Sequence, residues 1–283
     1  MKILLVGAYG QLGREFIRAL EGGPAKLLAF GKEELDVSNL EAVYRTLKEI
    51  RPQVVINCAA YNQVDEAESE AWTAYKVNAL GPYHLALVCR EIKAKLVHYS
   101  TDYIFDGTKR GLYLEDDPPN PLNTYGKSKL FGEVLVREVL ESSLVFRVSW
   151  VYGEGQRNFL YRLEQWARSQ ECLKVTVDEF SVPTSTRTIV EVSLKALEEG
   201  LEGLWHLVNS GYASRYEWAK EYFRLKGVRK LIYPACQAEF ALPAPRPRWS
   251  VMSNERICAL LGKEIPLWNE ELKSYLQRTG PRT

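Results

Sequence analysis

The chain has 283 residues, of which 46% are hydrophobic and 26% are charged, and its formal net charge at pH 7 is +1. This length and composition are typical of a globular protein that buries about three-quarters of its unfolded surface. The balanced charge gives no indication of a nucleic-acid or membrane-surface partner, and no apolar stretch of the sequence approaches the roughly 20 residues of a membrane span.

The first predicted element is a buried strand over the short apolar run Lys2–Val6. A loop follows in which Gly7, Gly10 and Gly13 have the spacing G-x-x-G-x-x-G, and helical periodicity then covers Arg14–Glu21. In such a loop the glycines permit a tight turn, a close approach to a diphosphate and close helix packing. The free amides of the helix N-terminus favour phosphate. The loop therefore predicts dinucleotide binding, with a ligand-free glycine-rich turn as the alternative.

Apolar runs typical of strands recur along the chain, and helical patterns separate them. The predicted strands are Lys26–Phe30, Val54–Cys58, Lys95–Ser100, Leu144–Ser149, Leu173–Val177 and Leu204–Val208. The main helical patterns are Leu40–Glu49, Glu66–Lys93, Tyr125–Leu140 and Thr188–Glu199. This alternation predicts an α/β fold, a Rossmann-type doubly wound parallel sheet with helices on both faces. Ligands of such sheets bind beyond the carboxyl ends of the strands, where Gly7, 59–61 and 100–102 fall.

The later part of the chain has a looser pattern and predicts a second lobe. We expect residues 1–150 to form the dinucleotide-binding Rossmann domain, completed by a segment that returns near 173–208. Residues 151–283 are expected mainly to form a smaller, interleaved substrate-binding lobe. Within this part, 150–157 has the pattern of a loop, 241–249 is rich in proline and arginine, and 210–283 predicts short helices between breaker residues.

Tyr125 and Lys129 stand four residues apart, but this spacing alone is uninformative. Three further pairs share it, and we interpret them as ordinary helix surface: Tyr44/Lys48, Tyr216/Lys220 and Tyr222/Lys226. Only Tyr125 follows a predicted strand that runs into Ser100 and Thr101, downstream of the glycine loop. A phenol has a pKa of about 10, and an ammonium one helical turn away is expected to lower it. The pattern predicts that Tyr125 donates a proton to an alkoxide as hydride reaches a ketone.

The cysteines and histidines indicate a cytoplasmic protein without a zinc site. The five cysteines are scattered, odd in number and without C-x-x-C spacing, which is typical of reduced thiols. The first strand begins so early that no signal peptide is expected. The three histidines share no metal-ligand spacing.

Taken together, these motifs resemble the extended short-chain dehydrogenase/reductases and, among them, the dTDP-4-dehydrorhamnose reductase family. The likeness covers nearly the whole chain, and its most specific blocks are 7–13, 57–65, 100–107, 125–129 and 147–153. Weaker similarities are Ser181–Thr184, Arg246-Pro247 and Ser250. The resemblance implies a Rossmann domain with a substrate lobe. It also implies NADPH- or NADH-dependent reduction of the C4 ketone of dTDP-4-dehydro-L-rhamnose, a dTDP-4-dehydro-6-deoxy-L-sugar.

The resemblance also implies roles for individual residues. Tyr125 would be the proton donor, Lys129 would hold the nicotinamide ribose, and Thr101 would hydrogen-bond the carbonyl oxygen. Asp102 and Trp150 would contact the deoxysugar, although Trp150 is equally suited to filling the gap between lobes and Asp102 to bonding its own turn. The residues implied to contact the cofactor, which include the glycines of the loop, are Gly7, Gly10, Gln11, Leu12, Gly13, Asp36, Val37, Ala60, Tyr61 and Asn62.

Several positions leave open the choice between NADP and NAD and the roles of two polar residues. The second predicted strand is followed by Lys32, which suits the 2′-phosphate of NADP, whereas the neighbouring Glu33 or Glu34 suits the ribose of NAD. Asp36 has the alternative role of a helix cap, and Asn78 either bridges to the active site or satisfies a neighbouring backbone group.

Some members of the resembled family dimerise around Mg²⁺ held by glutamates. Glu15 matches one such position, but 183–187 offers no carboxylate, which argues against a Mg²⁺-bridged dimer. A monomer and a homodimer both remain open.

Three other functions share parts of this pattern. A dehydratase of the superfamily uses Thr-Asp-Glu, whereas this chain has Tyr103 after Thr101 and Asp102, so elimination of water is disfavoured. A nucleotide-sugar 4-epimerase shares the tyrosine and lysine. A non-catalytic regulatory subunit of the methionine adenosyltransferase type shares the fold, but Tyr125, Lys129 and Thr101 favour catalysis.

Overall fold

The structure is a computed structural model that describes residues 1–279. Its first half alternates strands and helices from the start of the chain. In chain order, this half contains β1 (Lys2–Val6), α1 (Gln11–Leu20), β2 (Lys26–Phe30), α2 (Leu40–Ile50), β3 (Val54–Asn57), α3 (Glu66–Ser69), α4 (Ala71–Tyr75), a π-helical turn (Lys76–Leu80), α5 (Gly81–Ile92), β4 (Lys95–Thr101), a 3₁₀ turn (Asp102–Ile104), α6 (Thr124–Val139) and β5 (Leu144–Val148).

The second half has shorter strands and more varied connections. It contains β6 (Val151–Tyr152), α7 (Phe159–Ser169), β7 (Cys172–Thr176), β8 (Phe180–Ser181), β9 (Thr184–Ser185), α8 (Thr186–Glu198), β10 (Gly203–His206), β11 (Ala213–Ser214), α9 (Arg215–Leu225), β12 (Leu231–Ala235), a 3₁₀ turn (Gln237–Glu239), α10 (Glu255–Leu261) and α11 (Trp268–Thr279). Among the described residues, no helix combines the length and the apolarity that crossing a membrane requires.

The central sheet confirms the predicted α/β class. Its six strands run in the order β10-β5-β4-β3-β1-β2, and all neighbouring pairs are parallel. The connection from β1 leads outward to β2, whereas the chain then returns to the other side of β1 as β3. This reversal creates a crevice beyond the carboxyl ends of β1 and β3, which is where doubly wound sheets bind their ligands.

Both faces of the sheet are covered by apolar side chains, as parallel strands require. One core lies between the sheet, α1 and α8, and the other lies between the sheet, α2 and α5. A third core belongs to the second half of the chain, where Trp150 and Tyr152 pack with α7, β7 and α9. The second half therefore has its own apolar interior.

Two predicted elements differ from the observed ones. Leu173–Val177 forms a strand, β7, but it pairs with β12 outside the central sheet, because Leu173 and Val175 pack into the third core. The helical pattern over Glu66–Lys93 is divided into α3, α4, the π-helical turn and α5. The sequence puts Gly81 and Pro82 at the start of α5, and proline cannot supply the amide that would continue the preceding helix.

Candidate active site

The glycine loop after β1 approaches the segment after β3 so closely that a side chain has no room. Gly7 has φ +76°, and a Cβ placed on it would lie 2.5 Å from the backbone nitrogen of Ala59. A Cβ on Gly13 would lie 2.5 Å from the carbonyl oxygen of Gly7. Gly10, by contrast, is exposed and leaves its backbone accessible. This arrangement fits a dinucleotide, because exposed backbone next to the N-terminus of α1 is a favourable site for a diphosphate.

A chain of hydrogen bonds leads from the segment after β3 to α6. The side chain of Asn78 accepts from Tyr61 N at 2.8 Å and donates to Tyr61 O at 2.9 Å and to Ser128 Oγ at 3.0 Å. Asn62 Oδ1 lies 3.5 Å from the hydroxyl of Tyr125. Asn78 lies in the π-helical turn, and such turns frequently mark functional sites. Asn78 therefore holds 61–62 against the helix that carries Tyr125.

Tyr125 and Lys129 differ from the three other tyrosine–lysine pairs. In those pairs the lysine Nζ lies 5.2–5.4 Å from the centre of the tyrosine ring, as in Tyr44/Lys48, Tyr216/Lys220 and Tyr222/Lys226. Lys129 is instead buried and donates to the carbonyl oxygen of Tyr99 at 2.5 Å. Burial lowers the pKa of Lys129 to about 8, against the opposing effect of Glu133. The ammonium thus sits in the wall of the crevice.

The expected lowering of the Tyr125 pKa is wrong for this structure. Burial raises the pKa of Tyr125 to about 12; the Asp102 carboxylate acts in the same direction and the Thr101 hydroxyl opposes it. Desolvation penalises the buried phenolate more than the hydrogen bond from Thr101 stabilises it. Tyr125 therefore carries its proton at neutral pH, which is the state that a proton donor needs.

Thr101 and Asp102 form a buried hydroxyl–carboxylate pair at the end of β4. Thr101 Oγ1 donates to Asp102 Oδ1 at 3.1 Å and accepts from Tyr103 N at 3.2 Å. Asp102 Oδ2 accepts from Ser181 at 2.8 Å and from Ser250 at 2.6 Å. Burial raises the pKa of Asp102 to about 6, while the three hydroxyls and Arg215 act in the opposite direction. The carboxylate is thus ionised at neutral pH.

Trp150 lies directly after β5 in a strained conformation. Its φ is +38°, which is rare for a bulky residue, and its indole is buried with no hydrogen-bond partner for Nε1 among the described residues. The ring stacks on Trp218 with 5.7 Å between centroids, and the guanidinium of Arg215 lies 3.7 Å from its centre. Backbone strain of this kind clusters at functional sites.

An ion pair connects the stack of Trp150, Trp218 and Arg215 to the site. Arg215 Nε lies 3.7 Å from Glu179, and Glu179 accepts from the hydroxyl of Tyr103 at 3.3 Å. The Tyr103 ring meets the Tyr125 ring edge-on, with 5.9 Å between centroids. Tyr103 therefore donates a hydrogen bond to Glu179 and packs against the proposed proton donor, Tyr125.

The residues expected near the adenosine lie beyond β2. Lys32 is exposed beside Gly31, while Glu34 accepts from Gly31 N at 2.9 Å and from the Tyr9 hydroxyl at 3.0 Å. Asp36 accepts from both Ser38 N and Ser38 Oγ, at 2.9 and 2.7 Å.

Two further residues show whether Asp36 has its alternative role as a helix cap. Asn39, rather than Asp36, caps α2. Val37 is buried, and its carbonyl is bonded to His84 Nδ1 at 3.0 Å. Asp36 thus forms a local turn.

Comparison with known proteins identifies the family of the chain. The family model described as RmlD substrate binding domain matches residues 1–280. The chain belongs to this family. The spore coat polysaccharide biosynthesis protein SpsK of Bacillus subtilis is 36% identical over 98% of this chain and 97% of that protein. A dTDP-4-dehydrorhamnose reductase of Burkholderia thailandensis is 35% identical over 95% of each chain.

A solved structure of the family is superimposable over nearly the whole chain. The dTDP-4-dehydrorhamnose reductase of Bacillus anthracis, crystallised in complex with NADP, has a TM-score of 0.95 and 33% identity. The match covers 98% of this chain and 99% of that one. The fold of that reductase therefore extends over nearly the whole of this chain.

Several residues of the site were not predicted from the sequence. Glu179 and Arg215 lie in segments with no distinguishing motif, and Arg215 begins the helix that carries an ordinary tyrosine–lysine pair. Arg246 pairs with Asp65 through two hydrogen bonds of 2.8 and 2.6 Å and joins the second lobe to the start of α3. Only the weak similarities at Ser181, Ser250 and Arg246 gave any signal.

The carboxylates give no indication of a metal. Within residues 1–279, no group of three or more His, Cys, Asp or Glu side chains lies close enough to hold a metal ion. Glu15 is paired with Arg18 at 3.0 Å. All five cysteines are free thiols: Cys58, Cys89, Cys172, Cys236 and Cys258.

Proposed function

We propose that the chain reduces the C4 ketone of dTDP-4-dehydro-L-rhamnose to the alcohol, with NADPH or NADH as the reductant. The observation that carries this proposal is the meeting of Tyr125, Thr101 and Asp102 at the carboxyl ends of the strands, beside a glycine loop in which Gly7 and Gly13 have no room for a Cβ. Relatives at 33–38% identity that bear the name dTDP-4-dehydrorhamnose reductase support the substrate class.

The cofactor contacts follow from the crevice between β1 and β3. We assign the diphosphate to the accessible backbone of the glycine loop and the N-terminus of α1, and the ribose of the nicotinamide to Lys129 and 60–62. The adenosine would lie along the segment after β2. The residues proposed to bind the dinucleotide are Gly7, Gly10, Gln11, Leu12, Gly13, Lys32, Asp36, Val37, Ala60, Tyr61, Asn62, Tyr125 and Lys129.

Proton transfer is assigned to Tyr125. When bound, the reduced nicotinamide supplies a hydride to C4 of the sugar. Tyr125, protonated at neutral pH, then neutralises the developing alkoxide, and the Thr101 hydroxyl stabilises the same oxygen. The positive charge of the Lys129 ammonium favours the phenolate that Tyr125 becomes when it gives up its proton.

The second lobe is proposed to hold the sugar and to exclude water. Trp150 would pack against the deoxysugar, and Asp102 would accept a hydrogen bond from one of its hydroxyls. We propose that this lobe comprises the third core with β7, β8, β12 and the segment through Ser250, whereas α8 and β10 return to the Rossmann domain. Removal of water strengthens the electrostatic interactions inside the crevice.

The decisive experiment mixes the purified protein with NADPH and dTDP-4-dehydro-L-rhamnose and follows the absorbance of the reduced nicotinamide. We expect stoichiometric oxidation and formation of dTDP-L-rhamnose, detected by mass spectrometry. A folded, NADPH-binding protein that leaves authentic substrate unchanged would contradict the proposal. Dialysis against EDTA before the assay should leave the rate unchanged, because no metal is assigned a role.

We further propose that the protein works in the cytoplasm, where its five free thiols remain reduced. Analytical ultracentrifugation of the same preparation would distinguish the monomer from the homodimer. Fractionation of cells that carry the protein fused to a reporter would show the compartment in which the protein lies.

A further inference from the structure

The Asp102 carboxylate joins the catalytic edge of the sheet to the second lobe. Its Oδ1 accepts from Thr101, whereas its Oδ2 accepts from two hydroxyls of the later chain, Ser181 at 2.8 Å and Ser250 at 2.6 Å. Asp102 and both serines are buried, with at most 2% of their surface exposed. Three hydroxyl donors on one buried carboxylate exceed what is needed to hold a surface turn.

The two serines lie on backbone segments that are hydrogen-bonded to each other. Ser250 N donates to Phe180 O at 3.0 Å, and Phe180 N donates to Arg248 O at 2.8 Å. The segment 248–250 therefore runs beside β8, and the two hydroxyls face the same carboxylate oxygen. Within residues 1–279, neither serine side chain hydrogen-bonds to the strand that carries Thr101, so Asp102 is their hydrogen-bonded link to it.

The hydroxyl of Thr101 has one proton, and the structure directs it to Asp102. The proposed reaction needs the same proton on the carbonyl oxygen of the substrate. Thr101 must therefore turn away from Asp102 when the substrate binds, and Asp102 Oδ1 then loses a donor. A sugar that carries a hydroxyl next to its ketone can replace that donor while Thr101 bonds the ketone.

We propose, resting on the function proposed above, that Ser181 and Ser250 are positioning residues that keep the Asp102 carboxylate charged and in place during this exchange of partners. The pair Thr101–Asp102 then presents one donor and one acceptor side by side. That arrangement is complementary to an α-hydroxy ketone, in which the carbonyl oxygen accepts and the adjacent hydroxyl donates. Substrates that lack the adjacent hydroxyl are disfavoured, because they leave a buried charge without its third partner.

The charges around Asp102 agree with this assignment. The charged and titratable groups near it are Tyr103, Tyr125 and Arg215, and Glu179 is bonded to Tyr103 and Arg215. Burial raises the pKa of Asp102, and the hydroxyls of Ser250, Ser181 and Thr101 lower it, in that order of size. Loss of a serine hydroxyl removes a bond to the charged form, so the carboxyl must bind its proton at higher pH.

The test measures kcat/KM for the ketosugar between pH 5.5 and 9 in the wild type, Ser181→Ala and Ser250→Ala. In the wild type we expect activity to fall below about pH 6, where Asp102 becomes protonated. Each variant should move this acid limb to higher pH by about one unit, since a hydrogen bond to a charged group is worth about that much. At pH 6.5 the rate should fall several-fold and at pH 8.5 it should return to within about threefold of the wild type.

Two control variants separate positioning from packing. Ser250→Thr retains the hydroxyl and should restore the wild-type profile. Ser143→Ala removes a buried serine hydroxyl that has no hydrogen-bond partner among residues 1–279, and it should leave the profile unchanged. A loss of equal size at every pH, or an unshifted limb in both serine variants, would overturn the inference.

A titration without substrate keeps this inference distinct from the proposed function. The ¹³C signal of the Asp102 carboxyl, followed by NMR, should change at higher pH in Ser181→Ala and Ser250→Ala than in the wild type. If the wild type does not reduce the ketosugar but this shift occurs, the substrate is wrong and the role of the serines stands. If the ketosugar is reduced and the carboxyl signal does not shift, only the role of the serines is wrong.

Discussion

The two walls of the crevice keep their shape by different means. The glycine-loop wall, residues 7–13 with 58–62, depends on backbone atoms that approach each other to a distance that admits no Cβ. The lobe wall, formed by Asp102, Trp150, Glu179 and Arg215 with the two serines, depends on buried charges and stacked rings. The first wall should therefore be sensitive to added atoms, and the second to lost charges, lost hydroxyls and pH.

This difference has a chemical reason. A diphosphate and a ribose are the same in every catalytic cycle, and backbone amides bind them without side-chain entropy or titration. A ketosugar changes from ketone to alcohol during the reaction. The groups that hold it must exchange hydrogen bonds, which requires hydroxyls and a carboxylate whose protonation matters.

The largest expected effect lies where the two walls meet. Tyr125→Phe removes the proton donor and leaves the ring, so turnover should fall by roughly 10²–10⁴ while NADPH affinity stays nearly unchanged. Absorbance assays and a fluorescence titration with NADPH measure the two quantities. Tyr44→Phe is the matched control, because Tyr44 has the same spacing to a lysine on an exposed helix surface. Wild-type turnover in Tyr125→Phe would assign the acid elsewhere.

A single added methyl group tests the glycine-loop wall. Gly7→Ala should weaken NADPH binding by about tenfold or more, because its Cβ would meet Ala59 and its positive φ costs roughly 1–2 kcal/mol for an L-residue. Gly22→Ala has a similar φ of +73° but no atom within 4 Å of its Cβ. Thermal unfolding should therefore show a larger loss of stability in Gly7→Ala, where the clash with Ala59 adds to the strain of the positive φ, and NADPH titration should show weaker binding in Gly7→Ala alone. Equal NADPH affinity in the two variants would count against the close approach.

The ion pair Asp65–Arg246, called the tether below, joins the start of α3 to the second lobe. Arg246 holds the pKa of Asp65 below its usual value, first through its hydrogen bonds, so the pair contributes stability at neutral pH that is lost as the pH falls through this lowered value. Arg246→Gln should lower the free energy of unfolding by about 1–2 kcal/mol at pH 7. The difference from the wild type should shrink in acid.

A control for the tether is an ion pair on the surface. Arg256 lies 3.3 Å from Asp116, whose side chain is 91% exposed. Arg256→Gln should change the free energy of unfolding by less than about 0.5 kcal/mol. Equal effects of the two substitutions in urea denaturation would show that the tether is no stronger than a surface pair.

The smallest expected effect concerns the exposed lysine after β2. Lys32→Ala should raise KM for NADPH by about three- to fivefold relative to NADH, because an exposed ion pair with the 2′-phosphate contributes up to about 1 kcal/mol. Lys26→Ala removes an exposed lysine from the other end of the same strand and should leave the ratio of the two KM values unchanged. A preference for NADH in the wild type would point to Glu34, which lies beside Tyr9 and Gly31.

Much of the Rossmann half was predictable because its signals are local. All the strands expected in this half form, Gly7 and Gly10 lie between β1 and α1, and Gly13 lies in the first turn of α1. The pairing partner of β7 was not predictable, because an apolar strand pattern is the same whether the strand pairs with β5 or with β12. The π-helical turn around Asn78 also lacks a pattern of its own, since it differs from an α-helix only in which carbonyl each amide reaches.

The sequence by itself determined where the strands of the Rossmann half lie along the chain, the glycine loop and the candidate proton donor, because each depends on residues close together in the chain. Only the tertiary structure decided the electrostatics and the shape of the lobe wall. Asp102 meets Ser181 and Ser250 across separations of 79 and 148 residues, and the pKa of Tyr125 is raised because burial outweighs the hydrogen bond from Thr101. Desolvation and distant contacts arise only when the chain has folded, so no local pattern encodes them.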